Sequence, residues 1–511
     1  ENIKVPILRS SARIAGRLNY VCPRLFPSPE IISQPKIMNS RPGFNSSNKD
    51  FSSYECILAE NLLKFQLRPY SQIGLDRSSI PCLQTSSQLI SELLLEIPEI
   101  QNASEHVTSL WYGSTVVKTI TSPLDNDGYG NTPTLNDTEC QIDLPSCLEN
   151  ISREDMEIVL LGTGSSQPSK YRNVTSILVN LFSKGTIIID CGEGTLGQLK
   201  RRFGLEGADD VVKALRFIWI SHIHADHHTG LARILALRRD LLRDFPHEPL
   251  IVVGPKPLQR FLDAYSRLED LDMQFLDCSH TVDVSWITLA DIKDTDSQDS
   301  WESIEGCTIL AKCNNEMTSN CKYPGSPVDT VMALPILSRL KKALYYAGLE
   351  SLYSVPVIHC PHSFAIVLKA TERMNTISKL IPGWKLVYSG DTRPCQALVD
   401  ASHDATVLIH EATFEDGMEK EAQIKNHSTT MEAIEVGTAA DAYRIILTHF
   451  SQRYPKIPIF DDTHMSKTCI GFDLMSVNAA DLPVIPKVLP QLKLLFQDHE
   501  KSLHDDPNIE H

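Results

Sequence analysis

Ser221-His222-Ile223-His224-Ala225-Asp226-His227-His228-Thr229-Gly230 places four metal-capable side chains, His222, His224, Asp226 and His227, within six positions. The apolar run Leu215–Ile220 leads into it, and apolar residues at helical spacing follow from Leu231 to Leu242. This context predicts a buried strand that ends in a ligand loop and opens a helix. Alternate residues of an extended segment share a side. His222 and His224 are therefore expected to face one ion, with Asp226 and His227 turned toward a second.

At 511 residues the chain has room for two or three domains. With 42% hydrophobic and 22% charged residues it reads as globular, with disordered parts. No apolar run approaches the roughly 18–20 residues of a membrane helix. The net charge of −16 is unusual for a protein that handles nucleic acid, so any such contact must come from a local basic patch. Thirteen Cys are scattered without zinc-ribbon spacing, and the nearest group, Cys307, Cys313 and Cys321, reads as loose linker cysteines. An odd Cys count without a secretory signal points to a reducing compartment. The chain starts at Glu1, not Met, and is expected to be a fragment whose targeting segment cannot be read.

Outward from the opening stretch, the expected organisation is an amino-terminal piece at 1–101, a disordered linker at 102–154, a compact α/β domain at 155–496 and a frayed charged tail at 497–511. The linker is read from Asp125–Asn131 and its Thr, Pro and Asn neighbours, which lack a helix or strand period. Ser87–Leu95 has helical spacing. Within the α/β domain, strands are expected at Ile158–Leu161, Ser176–Leu181, Thr186–Asp190, Leu250–Gly254, Pro356–His359, Phe364–Lys369, Lys385–Ser389, Thr406–Ile409 and Arg444–Leu447. Helices are expected from Gly194 through Arg202 and from Thr429 to Ala440. A weakly patterned stretch at about 292–326 reads as an insertion or loop.

Strands repeatedly end in polar loops that carry His or Asp, where catalytic groups commonly sit. Three further candidates lie at such ends: His359, Asp391 and His449. With the opening four they make seven ligands, enough for two ions about 3.5–4 Å apart bridged by a carboxylate, for which Asp391 is the natural choice. Nitrogen and oxygen donors without thiolate fit Zn²⁺, with Mn²⁺ as the alternative.

Taken together, Ser221–Gly230 and the downstream His359, Asp391 and His449 resemble the metallo-β-lactamase superfamily. That resemblance implies an αβ/βα sandwich with metals at one edge. Pro168-Ser169-Lys170-Tyr171-Arg172-Asn173 is similar to the PxKxRN loop of the tRNase Z family, which trims the 3′ end of precursor tRNA. His410-Glu411-Ala412-Thr413 is similar to its HEAT motif and His427-Ser428-Thr429 to its HST motif. His359-Cys360-Pro361-His362-Ser363-Phe364 resembles the third metal motif of the long form, although Ala365 stands where that pattern has Gly. The resemblance spans about Glu157 to Pro458. Ile57–Pro69 resembles the end of the long form's amino-terminal half, a second, metal-free copy of the fold. His106 is the sole His of the first 150 positions, which agrees.

The resemblance implies that His222, His224 and His359 hold one zinc, that Asp226, His227 and His449 hold the other, and that Asp391 bridges. It implies Asp226 as base and the pair Glu411 and His427 as the source of the proton for the leaving 3′ oxygen. Lys170, Arg172 and Asn173 would meet substrate near the cut. Gly192–Thr195 is expected to shape the site beside Asp190, and Lys200–Arg202 and Arg238-Arg239 read mainly as solvated helix faces. The implied partner is precursor tRNA. Internal duplication implies a monomer, and the family implies the nucleus or mitochondrion. The long form's flexible tRNA-gripping arm finds no match in residues 1–150. Competing readings are another hydrolase of the superfamily, acting on thioesters or other phosphodiesters, and a non-catalytic tRNA-binding protein. The former leaves Pro168–Asn173 and His410–Thr413 unexplained, and a full ligand set argues against the latter.

Overall fold

The computed structural model describes residues 9–27, 63–76, 78, 85–112, 144–169, 171–282, 327–375, 378–453 and 466–496. Its first part holds helices α1 (Arg9–Val21), α2 (Ser86–Glu96) and α3 (Ile100–Tyr112) and a ribbon of β1 (Lys64–Gln66) and β2 (Gly74–Asp76). The remainder is built on two sheets.

The first sheet contains β3 (Glu157–Gly162), β4 (Ser176–Asn180), β5 (Thr186–Cys191), β6 (Leu215–Trp219), β7 (Leu250–Gly254), β8 (Met273–Asp277) and β17 (Met475–Asn478), in the order β17-β3-β4-β5-β6-β7-β8. The second contains β9 (Leu349–Pro356), β10 (Phe364–Ala370), β13 (Lys385–Tyr388), β14 (Val407–Glu411), β15 (Arg444–Thr448) and β16 (Thr468–Ile470), in the order β16-β15-β14-β13-β10-β9. A second ribbon, β11 (Arg373–Met374) with β12 (Leu380–Ile381), interrupts the chain between β10 and β13.

Strand periodicity explains the layering. Ile158, Leu160, Ile177, Val179, Ile187, Ile189, Phe217 and Trp219 belong to the core shared with the second sheet. Their alternating neighbours Val159, Leu161, Leu178, Ile188 and Ile218 belong to a separate core. That outer core also takes Leu199 from α4 (Thr195–Lys213), Leu231, Ile234 and Leu235 from α6 (Leu231–Leu242), and Leu258 and Leu262 from α7 (Lys256–Tyr265). Each such side chain contributes roughly 1.5–3 kcal/mol on burial. Two-sided burial is why these strands read as continuous apolar runs rather than alternating ones.

β5, β6 and β7 run parallel, as do β13, β14 and β15. The loops leaving β5 and β6 therefore share one edge, and so do those leaving β13, β14 and β15. Backbone bonds join the two edges: Phe450 N donates to Thr163 O (2.9 Å), Ser165 N to Phe450 O (3.1 Å) and Phe364 N to Ser221 O (3.1 Å). Every strand-end loop singled out in the sequence is thereby gathered at one rim.

Several expectations need correction. The linker does not begin at residue 102, because α3 continues to Tyr112, with Ile100, Ala103 and Val107 buried at helical spacing. Trp111 Nε1 donates to Asp481 Oδ1 (2.9 Å), and the Arg153 guanidinium spans both Asp481 oxygens at 2.7 Å each. Both ends of the expected linker are thus fastened to the segment leading into α12 (Ile485–Lys493). The polar residues between α3's apolar positions disguised its period. The segment Asp125–Asn131, Cys307, Cys313 and Cys321, the stretch 292–326 and the tail 497–511 lie outside the described residues. Where the metal-free copy is expected, the described residues form α1–α3 and the first ribbon, with α1 and α3 packed against α12. No strand forms at Pro356–His359, since β9 already ends at Pro356 and Val357 N closes a tight loop onto Ser363 O (3.1 Å). Ala365 lies buried within β10, opposite Val355, where a methyl side chain is accommodated. Among the described residues, no helix is long and apolar enough to cross a membrane.

Candidate metal centre

The strand β6 ends at Trp219, and the chain turns through Ser221–His224 into a one-turn helix, α5 (Ala225–His228). His222 and His224 leave the extended part, while Asp226 and His227 come from the helical turn. The second sheet supplies His359 from the loop between β9 and β10, Asp391 from the turn after β13 and His449 directly after β15.

These side chains converge in two adjoining groups. His222, His224, His359 and Asp391 place ligand atoms within 4.8 Å of one another, as do Asp226, His227 and His449. His224 Nδ1 lies 3.0 Å from both His222 Nε2 and His359 Nε2. His227 Nε2 lies 3.3 Å from His449 Nε2, and His449 Nε2 lies 3.4 Å from Asp226 Oδ2. Asp391 Oδ2 sits between the groups, 3.3 Å from His227 and His449, 3.6 Å from His222 and 3.8 Å from His359.

The donor set fits divalent metal. Four donors at 2.0–2.1 Å around a tetrahedral zinc stand about 3.3 Å apart, the spacing seen between these atoms. Asp391 Oδ1 is buried and has no hydrogen-bond partner, a cost that a cation would remove. Burial, followed by the His227 charge, pushes His222 well below the ordinary histidine value. Burial likewise lowers His224 and His359, keeping both rings in the neutral form that metals require. Burial would raise Asp391 and Asp226, but the adjoining His227 and His449 outweigh it and hold both carboxyls ionised.

A second ring of contacts orients the donors. Asp190, buried at the end of β5, accepts from Ser221 N (2.7 Å), Ser221 Oγ (2.8 Å), His227 Nδ1 (2.7 Å) and Tyr388 Oη (2.9 Å). His227 must therefore present Nε2 to the cluster. His359 Nδ1 donates to Asn426 O (2.8 Å), and His449 Nδ1 to Thr413 Oγ1 (2.8 Å). Such partners set tautomer and ring direction. Sequence reading noted Asp190 only in passing and missed Tyr388, Thr413 and Asn426 as supports. A carboxylate closing an otherwise apolar, buried strand is the signal that pointed to Asp190.

Glu411 and His427 stand beside the cluster. His427 Nδ1 donates to Glu411 Oε1 (2.9 Å), and Asp391 Oδ2 lies 3.9 Å from the same nitrogen. Glu411 is fully buried and accepts further bonds from Thr392 N (2.8 Å) and Thr413. Burial opposes a charge on His427, but Glu411 more than offsets it and pushes the ring up to about 9. The imidazolium is thus held at neutral pH.

The Pro168–Asn173 loop behaves differently from expectation. Lys170 lies outside the described residues. Arg172 points inward, not toward the cleft: Nη1 donates to Thr163 Oγ1 (2.6 Å) and Gly471 O (2.8 Å), and the guanidinium lies over the rings of Phe450 and Phe472. Burial lowers it to about 10. Asn173 donates from its backbone to Asp473 Oδ2 (2.6 Å) and from Nδ2 to Glu193 O (2.9 Å). It thereby braces the Gly192–Thr195 turn, where Gly194 takes φ +81 and an added Cβ would meet Asn173 Oδ1 at 2.9 Å. Asp473, unforeseen in the sequence, also accepts from Thr163 and Gln198. The chain just before this loop does reach the centre, because Ser166 N donates to Asp226 Oδ2 (2.6 Å). The other arginines considered are engaged within the fold: Arg201 with Gln198, Arg202 with Glu157 and Ser476, Arg238 with Glu248 O, and Arg239 with Glu269 and Asp240.

Comparison with known proteins follows the same line. A family profile described as "Anti-Pycsar protein Apyc1" matches residues 156–253. The chain is 56% identical over 500 residues to tRNAse Z TRZ4, mitochondrial, of Arabidopsis thaliana, covering 98% of this chain and 51% of that protein. It is 55% identical over 514 residues to tRNase Z TRZ3, mitochondrial, of the same species, covering 100% of this chain and 55% of that protein. The zinc phosphodiesterase ELAC protein 2 of Rattus norvegicus is 41% identical over 344 residues, 67% of this chain and 35% of that protein. The chain spans about half the length of the first two relatives. The crystal structure of a long form RNase Z from yeast superposes with a TM-score of 0.54 at 28% identity, covering 70% of this chain and 46% of that one. The fold is that of the metallo-β-lactamases, and its His/Asp cluster is a divalent-metal site. With identities of 56% and 55% running through 98% and 100% of its residues, the chain belongs to the tRNase Z family.

Proposed function

We propose that the chain carries a zinc-dependent endoribonuclease that removes the 3′ trailer from precursor tRNA. It cuts after the discriminator nucleotide, leaving a 3′ hydroxyl on the tRNA and a 5′ phosphate on the trailer. The observation that carries this reading is the Glu411–His427 pair, held 2.9 Å apart against the shared carboxylate of the metal cluster. A phosphodiester with an alkoxide leaving group needs both a metal site and a proton donor. A thioester has a leaving group that needs the donor far less.

In this reading His222, His224 and His359 would hold one ion, Asp226, His227 and His449 would hold the other, and Asp391 would serve both. When bound, such metals supply Lewis acidity toward a phosphodiester and acidify water near it. Asp226, kept ionised and fixed by Ser166 N, accepts the proton of the attacking water. The water oxygen forms a bond to phosphorus as the bond from phosphorus to O3′ breaks. His427 passes its proton to O3′ while Glu411 retains the imidazole through Nδ1. Proton donation of this kind contributes roughly 10²–10⁴-fold. Lys170 and Asn173 remain the proposed substrate contacts of their loop, whereas Arg172 supports the loop from inside. We read residues 155–496 as the catalytic unit, with α1–α3 fastened to it through α12 and Asp481. The names of the two Arabidopsis relatives support a mitochondrial location, and the nucleus rests on the sequence resemblance alone.

The test is to give the metal-loaded protein a precursor tRNA with a 3′ trailer and map both new ends. Cleavage after the discriminator, with the stated end groups, is expected. Cutting elsewhere, or turnover of thioesters only, defeats the proposal.

A further inference from the structure

Arg393 lies two residues beyond Asp391, outside the metal cluster and the acid pair. Its backbone N donates to Ile358 O (2.8 Å), pairing the Asp391 turn with the loop that carries His359. Its guanidinium reaches the other way. Nη1 donates to His427 O (2.6 Å) and to Glu432 Oε2 (2.7 Å), and Nη2 binds Glu432 Oε1.

Glu432 is itself placed by a capping box. Thr429 N donates to Glu432 Oε2 (2.9 Å) and Glu432 N to Thr429 Oγ1 (3.3 Å), which begins helix α11 (Thr430–Ala439). The neighbouring residues are fixed as well, since Ser428 Oγ donates to Thr392 O (2.6 Å) and His427 N to Ala422 O (2.9 Å). The backbone of His427 is therefore clamped at its carbonyl by Arg393 and at its amide by the short helix α10 (Glu419–Lys425). Glu411 fixes the ring through Nδ1, and among the described residues His427 Nε2 makes no hydrogen bond.

We infer that Arg393, backed by Glu432, is a positioning residue that aims His427 Nε2 at the leaving oxygen. The inference rests on the nuclease reading for the identity of that oxygen, although the geometry applies to any phosphodiester cut at this centre. In the step affected, a water oxygen bonds to phosphorus, the bond to the leaving oxygen breaks, and the His427 proton moves onto that oxygen. A guanidinium suits the task because its planar fork holds a carboxylate through two bonds while a further N–H meets a carbonyl in a fixed direction; a lysine ammonium has three donors but no such fork.

The experiment compares Arg393→Ala, Arg393→Lys and Glu432→Gln with the parent protein, all metal-loaded. Three substrates are used: precursor tRNA, diphenyl phosphate and bis(p-nitrophenyl) phosphate. Bound metal and melting temperature are recorded for each variant. Nitrophenolate departs without a proton, so its release should fall by less than about threefold. kcat should drop about 10- to 100-fold on precursor tRNA, a share of the full proton-donor effect, and by an intermediate factor on diphenyl phosphate. Arg393→Lys should recover little, and Glu432→Gln should follow the same order of substrates more mildly. Equal losses on all three substrates would mark a general structural role and overturn the inference. An unchanged kcat on both poorer leaving groups would do so too. Should the parent protein hydrolyse both aryl diesters but leave precursor tRNA intact, the nuclease reading falls. The separation between the two aryl esters then still decides the role of Arg393.

Discussion

His427 Nδ1 and Glu411 Oε1 lie 2.9 Å apart, and among the described residues that carboxylate otherwise accepts from Thr392 N and from the Thr413 amide and hydroxyl. Glu411 therefore works as a buried anion whose outlet toward the cleft is the imidazolium of His427. Burial works against that charge, and Glu411 more than restores it, so that the ring keeps its proton up to about pH 9. A raised value means the acid form is complete below the ordinary histidine range and is lost as pH rises through 9. Glu411→Gln removes the anion and leaves burial, the largest influence on the ring, to push His427 below the ordinary histidine range. kcat on precursor tRNA should then fall at least about 30-fold at pH 8, with a much smaller loss near pH 5.5, and the alkaline limb should move down by more than two units. A kcat–pH profile with its alkaline limb unmoved would remove Glu411 from the acid pair.

Asp190 collects four donors; among the described residues it bonds one proposed ligand directly, through His227 Nδ1, and reaches His222 Nδ1 at one remove through Ser221 Oγ. An Asp190→Asn amide keeps the volume but offers a donor toward His227 in one orientation and a weaker acceptor in the other. Metal affinity should fall about 10- to 100-fold, since ring direction and basicity both suffer. Competition against a chromophoric chelator measures this directly. The effect should lie in the ion held near His227 and His449 more than in the other, giving one weakened and one near-normal step. Two steps weakened alike would mean that Asp190 supports the sheet edge rather than one ligand.

Arg172 makes a prediction opposite to the one its sequence motif invites. It is buried against Phe450 and Phe472 and bonded to Thr163 and Gly471. Arg172→Ala should lower stability by about 3 kcal/mol, because a buried cation with charge-assisted bonds leaves its acceptors unpaired. The salt dependence of the KM for precursor tRNA should stay as in the parent, since no phosphate contact is lost. Denaturant unfolding and a salt series check the two halves. A shallower salt slope with unchanged stability would put this side chain on the RNA.

These cases show what the sequence could and could not carry. The seven gathered side chains were legible because tight spacing and strand-end placement are local properties, and α6 was legible because its apolar period is unbroken from Leu231 to Leu242. Arg172 was misread because the groups that enclose it, Phe450 and Phe472, lie far along the chain. Arg393 was passed over for the same reason, its partners being Ile358, His427 and Glu432. α3 was hidden by polar residues between buried ones, and α8 (Pro327–Ala347) by Pro335 inside it. What escaped was consistently a long-range polar contact or a period broken by one residue type.

Gly390 precedes Asp391 and holds φ +57, a left-handed conformation that a Cβ disfavours by about 1–2 kcal/mol. An added Cβ would also stand 2.6 Å from Phe364 O and 3.1 Å from Ser221 Cβ, where the two sheet edges are joined. Phe364 O belongs to backbone at the end of β10 and cannot swing aside, so Gly390→Ala must move the turn and carry Asp391 with it. The folded protein should survive in chelator, with a modest loss of stability. The extra stability gained on adding metal should shrink, because a ligand stabilises in proportion to how tightly it binds the native state. Thermal unfolding with and without saturating Zn²⁺, in parent and variant, separates the two effects. A variant that loses stability equally in both conditions would show that the turn can be strained without displacing Asp391.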